Sequence, residues 1–173
     1  MLIRTLGLFW REDHVYWGRG RNPGSMLGVP VWAARAQPTD FRDQIGVYAL
    51  YADYDLVYVG QVGRGNQTLF ARLKHHRKDD LAGRWNRFSW FGVRRVLGNN
   101  TLSSIADALH PELNIVLDHI EAILIHAAEP PMNGQGGRFG GSVTRYKQVR
   151  DERLGPTDHE MLTALCHEMA VEL

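Results

Sequence analysis

The chain is poor in cysteine, and this scarcity excludes two means of stabilising a fold. Cys166 is the one cysteine among 173 residues, so no internal disulfide can form and no thiolate cluster can hold structural zinc. Uncharged apolar runs are short, and none approaches the roughly 18 residues that a membrane-spanning helix needs. The apolar start is interrupted at Arg11 and is too short for a signal peptide. We therefore expect a cytoplasmic protein without a membrane segment.

The arrangement of a nucleotide-binding P-loop is also missing. Residues 134–141 contain five glycines in eight positions, but they lack the strand, loop and Lys-Ser or Lys-Thr order of that motif. We predict a loop at this place and no nucleotide site. The length of 173 residues and the hydrophobic content of 44% favour one compact domain with extensions.

The net charge of +1 hides an uneven distribution of charge along the chain. Residues 64–95 carry nine Lys or Arg against two Asp, a local balance of +7, whereas residues 99–133 carry five acids and no Lys or Arg. Such a basic block suits a surface that follows a nucleic-acid backbone, because neutralised phosphates release condensed counterions. A solvated helix and strand edge would have the same composition, so the block alone does not decide the function.

Three strands and a helix are predicted in the middle of the chain. Residues 44–51 and 56–61 are rich in β-formers and bracket a polar connection of hairpin length, which predicts an antiparallel pair. Residues 86–96 alternate aromatic and polar positions and predict a third strand. A helix is predicted to run to about Arg77, with Gln67 or Thr68 as its cap.

The second half predicts a longer helix from Pro111 to the Pro130-Pro131 pair. Its apolar residues recur at helical spacing, and Glu121 lies beside that apolar face. A strand near 144–149 and a helix near 156–172 would close the domain. Residues 1–43 mix tryptophans with arginines, which favours either stacking on nucleic-acid bases or a flap over the sheet or a dimer surface.

Two tripeptides, Gly46-Val47-Tyr48 and Tyr58-Val59-Gly60, place tyrosines ten residues apart on the two strands of the predicted hairpin. Arg72 and His76 follow four residues apart, so they project from one face of the predicted helix. His75 is the competing histidine, and the helical geometry favours His76.

A carboxylate and an amide complete the pattern. Glu121 and Asn133 lie twelve residues apart, downstream of the arginine and histidine. The whole order and spacing, over residues 44–133, resemble the GIY-YIG nuclease family. The resemblance implies an α+β fold, a three-stranded antiparallel sheet flanked by helices. Residues 1–43 would be an N-terminal extension, residues 44–133 the nuclease core, and residues 134–173 a glycine-rich loop with a strand and helix packed on that core.

The resemblance also implies an activity, that of a divalent-metal-dependent endonuclease and hydrolase of phosphodiester bonds. We expect DNA as the substrate, 5′-phosphate and 3′-hydroxyl ends as products, and a role in restriction or defence. The catalytic residues implied by the family pattern are Tyr48, Tyr58, Arg72, His76, Glu121 and Asn133.

Each of these residues has an implied role. Tyr48 would be the general base or position the attacking water, which requires the pKa of its phenol to fall below about 10 under the influence of His76 and the metal. Arg72 would clamp the scissile phosphate. Glu121 would hold Mg²⁺ or Mn²⁺. Tyr58 would orient the water or the phosphate. Asn133 would fix the backbone or donate a hydrogen bond to a phosphate.

The basic block supplies the expected nucleic-acid contacts. The residues predicted to bind nucleic acid are Arg64, Lys74, His75, Arg77, Lys78, Arg84 and Arg87. One such site cuts one strand, so double-strand cleavage needs a homodimer or two encounters. Three alternatives stay open: an RNA-cleaving nuclease or toxin, a nucleic-acid-binding module with the same fold and no turnover, and an unrelated α+β domain.

Overall fold

The computed structural model describes residues 2–33, 35–63, 67–104, 119, 120, 122, 123, 126, 128 and 143–171. The strands are β1 (Thr5–Arg11), β2 (Leu27–Pro30), β3 (Thr39–Asp40), β4 (Gly46–Ala52), β5 (Asp55–Val62), β6 (Arg87–Gly92) and β7 (Thr144–Gln148). The helices are α1 (Leu69–His76) and α2 (Asp158–Val171), and short 3₁₀ turns lie at Glu12–His14 and Glu152–Leu154.

The strands form one mixed sheet in the order β3-β2-β7-β1-β6-β4-β5. The prediction of an α+β fold is confirmed, but the prediction of a three-stranded sheet is wrong, because the described sheet has seven strands. The segments predicted as extensions supply the four others. β1 pairs antiparallel with β6 and parallel with β7, and β7 in turn pairs with β2. The three strands predicted in the middle of the chain form the contiguous unit β6-β4-β5 at one edge.

The predicted hairpin of β4 and β5 is confirmed, and its register fixes the positions of Tyr48 and Tyr58. Tyr48 lies opposite Gly60 on β5 and opposite Trp90 on β6, while Leu50 lies opposite Tyr58. Because side chains alternate between the two faces of a sheet, this register puts Tyr48 and Tyr58 on the same face. Asp53 at the turn adopts a positive φ of 55°, a conformation that Asp tolerates better than most residues.

Helix α1 begins where the sequence predicted. The Thr68 side chain accepts a hydrogen bond from the backbone N–H of Ala71, which satisfies one of the free donors of the first turn. Leu69 and Leu73 are buried against the sheet, and burial of a leucine side chain contributes about 1.5–3 kcal/mol. His76 ends the helix and is buried on the same side. The helix is thus held flat on the sheet with its C-terminal histidine pointing inward.

The sheet has two different faces. The tyrosine face carries Tyr48 and lies under α1, and its cluster of buried residues is Trp10, Val15, Met26, Phe41, Tyr48, Leu50, Leu69, Leu73, Trp85, Phe88, Trp90 and Tyr146. The opposite face has a second cluster, formed by Ile3, Leu6, Ala49, Tyr51, Phe91, Ala122 and Ile123. On that face His119 Nδ1 accepts a hydrogen bond of 2.9 Å from the backbone N–H of Ile3.

The C-terminal strand and helix are also confirmed. α2 begins with a capping box, in which Glu160 accepts from the Thr157 backbone N–H and the Thr157 hydroxyl accepts from the Glu160 N–H. The α2 side chains of Met161, Leu162 and Leu165 are exposed. In the described part of the chain, neither helix has the length and apolar character needed to cross a membrane. The predicted glycine-rich loop at 134–141 lies outside the described residues.

Candidate active site

Tyr48 and Tyr58 lie side by side on the tyrosine face. Their ring centroids are 6.1 Å apart, with planes inclined by 39°. Tyr48 is fully buried, whereas Tyr58 on the edge strand β5 is half-buried. The pair therefore extends from the core to the rim of the sheet, with Tyr48 as its inner member and Tyr58 as its outer one.

Gly60 provides the place for the inner phenol. A Cβ at this position would overlap the Tyr48 hydroxyl oxygen and would also lie 2.7 Å from Cε1 of Tyr58. Gly46, the glycine of the other tripeptide, has a different role. Its φ is +145°, and a Cβ there would overlap the Phe91 carbonyl oxygen. Both glycines of the sequence motif are thus explained by close approach, one to a side chain and one to the neighbouring strand.

Helix α1 brings two polar side chains to the Tyr48 hydroxyl. His76 Nε2 lies 2.7 Å from Tyr48 Oη, and Arg72 Nε donates to the same oxygen at 3.4 Å. Tyr58 also contacts this group, since its ring centroid is 5.1 Å from that of His76. The side chain of His75 is 63% exposed, and its Nε2 lies 3.8 Å from Asp79 Oδ2. His76 is the histidine that hydrogen-bonds to Tyr48. Four residues of the predicted catalytic set thus converge.

Asp79 is a member of this group that sequence reasoning missed. Its Oδ2 lies 2.7 Å from His76 Nδ1, and its Oδ1 accepts a hydrogen bond of 3.0 Å from the Leu81 backbone N–H. The signal in the sequence was an acid three residues after the histidine, at the expected end of a helix. Such an acid is common at a helix end, so only the fold identifies it as the partner of the imidazole.

The charges of this group define the direction of its hydrogen bonds. Burial lowers the pKa of His76 below its usual 6.5, although Asp79 partly opposes this effect. Burial acts to raise the pKa of Asp79, but the hydrogen bonds from Leu81 and His76 outweigh it and the pKa is lowered. At neutral pH a neutral imidazole therefore donates from Nδ1 to an ionised carboxylate, and Nε2 accepts from the Tyr48 hydroxyl.

The pKa of Tyr48 differs from the sequence-based expectation. Burial raises it from 10 to about 12, and hydrogen bonding from Arg72 only partly offsets the burial. The described side chains therefore keep Tyr48 protonated at neutral pH, and acidification of its phenol by a bound metal stays a prediction. The physical reason is its complete burial, which disfavours the phenolate more than one guanidinium favours it.

Two of the predicted catalytic residues and one predicted nucleic-acid contact cannot be compared with this geometry. Arg64, Glu121 and Asn133 lie outside the described residues. The described neighbours Ala122 and Ile123 pack on the opposite face of the sheet from Tyr48. Within the described ranges, no group of three His, Cys, Asp or Glu side chains could hold a metal ion. The assignment of Mg²⁺ or Mn²⁺ to Glu121 therefore stays a prediction.

The predicted nucleic-acid contacts lie on more than one surface. Lys74 donates to the Trp17 carbonyl at 2.6 Å, and Arg77 stacks on the Trp17 ring at 4.7 Å while pairing with Glu12. The exposed members beyond α1 are Lys78 and Arg84. Arg87 lies opposite Tyr51 in the β4–β6 register, so it is on the opposite face, where it stacks on Tyr54 at 4.8 Å. A single continuous basic surface does not include all of them.

Comparisons with protein-family models, with curated proteins and with solved structures found no match to this chain.

Proposed function

We propose that the chain is an endonuclease that hydrolyses phosphodiester bonds, with Mg²⁺ or Mn²⁺ held by Glu121. DNA is the expected substrate, and the expected products carry 5′-phosphate and 3′-hydroxyl ends. The observation that carries the proposal is the buried hydrogen bond of 2.7 Å between Tyr48 and His76, with Arg72 donating to the same oxygen. A role in restriction or defence, a cytoplasmic location and a homodimer belong to the same proposal.

This geometry favours turnover over binding alone. Burying a phenol, an imidazole and a guanidinium contact together has a desolvation cost that exposed phosphate-binding side chains avoid. A protein that only binds phosphates would need just the exposed cations, such as Lys78 and Arg84. An imidazole that accepts from a phenol is instead what proton transfer needs, because it can take up the proton that the phenol passes on.

The described side chains divide the work of hydrolysis as follows. Tyr48 orients the attacking water, and His76 accepts a proton through it. Arg72 hydrogen-bonds to Tyr48 and Tyr58, and the free donors of its five N–H groups can contact a non-bridging phosphate oxygen. A divalent cation, when bound, would neutralise the phosphate and lower the pKa of the water. Tyr58 is half-buried on the edge strand β5, so a substrate that approaches from the sheet edge would reach it before Tyr48.

The direct test is a cleavage assay with purified protein. Supercoiled plasmid, single-stranded DNA and RNA are each incubated with Mg²⁺, with Mn²⁺ and with a chelator. We expect plasmid nicking or linearisation with metal only, and products that DNA ligase can rejoin. Cleavage of RNA alone would support the toxin or ribonuclease alternative. Binding without cleavage of any of the three substrates would overturn the enzyme assignment in favour of the binding module.

A further inference from the structure

We propose that Asp79 is a positioning residue of this site, which fixes the ring orientation and tautomer of His76 so that Nε2 faces Tyr48 as an acceptor. The inference rests on the proposed function for its chemical meaning. The tautomer of His76 can be measured without substrate, because it concerns only which imidazole nitrogen carries the proton.

The first argument is that the two carboxylate oxygens of Asp79 have different partners. Oδ1 accepts from the Leu81 N–H at 3.0 Å, and Oδ2 lies 2.7 Å from His76 Nδ1. The backbone N–H of Asp79 also donates to the His75 carbonyl at 3.2 Å. The carboxylate is therefore held by the turn that ends α1 and cannot move away from the imidazole without breaking these bonds.

The second argument is the confinement of the imidazole. His76 is 2% exposed, and both of its ring nitrogens have a partner at 2.7 Å. Trp85 Nε1 donates to the His76 carbonyl at 3.4 Å and anchors the backbone. Rotation of the ring would leave buried nitrogens without a hydrogen-bond partner, which is unfavourable because neither water nor another polar group replaces the lost bond. The Asp79 side chain is 26% exposed, so its charge is partly solvated while its inner oxygen holds the ring.

The third argument is the proton balance of the step. As water attacks phosphorus, a P–O bond forms to the water oxygen and the P–O bond to the 3′ oxygen breaks, and the departing 3′ oxygen takes a proton from solvent. At the same time the water O–H bond breaks and its proton forms a bond to Tyr48 Oη. The original Oη–H bond breaks, and that proton forms a bond to His76 Nε2. His76 becomes imidazolium beside the Asp79 carboxylate, and Tyr48 is a neutral phenol before and after. No phenolate is needed, which agrees with a phenol that burial keeps protonated.

The substitution Asp79→Asn separates this role from the role of Asp79 in the turn. The amide oxygen can still accept from the Leu81 N–H, which leaves the amide NH₂ facing His76. His76 Nδ1 must then accept, and the proton moves to Nε2, where it points at Tyr48. Asp80→Asn is the matched control, because Asp80 is the exposed neighbour with the same charge.

The first measurement is the ¹⁵N NMR tautomer of His76 in the full chain without substrate, assigned by its absence in His76→Gln. We expect Nδ1–H in the wild type and in Asp80→Asn, and Nε2–H in Asp79→Asn. The second is kinetic. We expect kcat of Asp79→Asn to fall by about 10²- to 10⁴-fold with KM changed less than about threefold, and Asp79→Glu to restore part of the loss.

The outcomes are distinguishable. A wild-type His76 protonated at Nε2, or an Asp79→Asn variant that is folded and keeps both tautomer and kcat, overturns the inference. If the wild type cleaves no nucleic acid, the proposed function fails, but the NMR result still decides the role of Asp79. If Asp79→Asn does not fold, the wild-type spectrum and the Asp79→Glu kinetics remain decisive.

Discussion

Strand β4 shows two ways of using buried residues. On the tyrosine face, Tyr48 is part of a chain of hydrogen bonds that runs through His76 to Asp79. On the opposite face, Ala49 and Tyr51 pack in the second cluster, with the Tyr51 ring 4.9 Å from that of Phe9. Both tyrosines are almost completely buried. Burial and residue type are the same for both tyrosines, so the proposed site rests on the hydrogen bonds that run from Tyr48 through His76 to Asp79.

The two faces of the sheet also bear on the proposed metal ligand Glu121. The phenol, imidazole and guanidinium belong to the tyrosine face, while Ala122 and Ile123, next to the proposed metal ligand Glu121, pack on the other side of the sheet. A reaction that uses Glu121 together with Tyr48, His76 and Arg72 requires the Glu121 carboxylate to act at the tyrosine face. The predictions below separate the contributions of the two faces.

The largest effect is expected from Glu121→Gln. If Glu121 holds the metal, cleavage falls by about 10³-fold or more while plasmid affinity in a gel-shift assay is retained, because several kcal/mol of charge stabilisation is lost. Glu129→Gln, in the same predicted helix, is the control. Cleavage by Glu121→Gln at the wild-type rate would assign the metal to other ligands and confine the chemistry to the tyrosine face.

A similar loss is expected from Tyr48→Phe. Removing the hydroxyl breaks the proton path to His76, so kcat should fall by about 10²- to 10⁴-fold. The matched control is Tyr54→Phe, because Tyr54 is exposed and its ring contacts the Phe9 ring and the Arg87 guanidinium on the opposite face. Thermal unfolding should confirm that both variants are folded. Equal activity of the two variants would contradict the role of Tyr48.

A smaller effect is expected from pH. Neutral His76 is the required acceptor, and burial lowers its pKa below the usual 6.5, so the imidazole is mostly neutral at neutral pH and becomes protonated as the pH falls. The acid limb of kcat/KM should therefore have its midpoint below 6.5 and fall about tenfold per unit beneath it. The ionisable groups that face His76 are Tyr48, Tyr58, Arg72, His75 and Asp79. A midpoint above 6.5 would show that the imidazolium is favoured and would contradict this mechanism.

The smallest effect separates the two faces as nucleic-acid surfaces. If the substrate lies over α1, Lys78→Gln should reduce the slope of log affinity against log salt by about 0.9, the contribution of one phosphate contact. Arg87→Gln removes the same charge from the opposite face and should leave the slope unchanged. The measurement is a salt titration of plasmid binding. A larger change for Arg87→Gln would place the nucleic acid on the opposite face.

The parts of the fold that were predictable depend on short-range patterns. The β4–β5 hairpin follows from alternation and a short connection, and the start of α1 follows from the Thr68 cap. The convergence of Arg72 and His76 on Tyr48 follows from helical spacing combined with the tripeptide motif. In each case a local rule agrees with the tertiary structure.

The parts that were missed depend on distant contacts. β1 lies beside the distant β7, and its alternation is broken by an irregularity between Gly7 and Trp10, where Phe9 has a φ of 51°. β3 has two residues, too few for a periodic signal. The raised pKa of Tyr48 comes from burial that only the complete fold produces. Asp79 was missed because its role depends on how the chain leaves α1.

Gly60 has a consequence for how loss of activity could arise. Gly60 has no side chain, and the Tyr48 hydroxyl occupies the space that a Cβ at this position would fill. One added methyl group would displace that oxygen while leaving every charge and every hydrogen-bonding side chain in the sequence. A Gly60→Ala variant would retain every catalytic side chain of the proposed site and yet be inactive. A comparison of catalytic side chains alone would therefore wrongly classify such a protein as active.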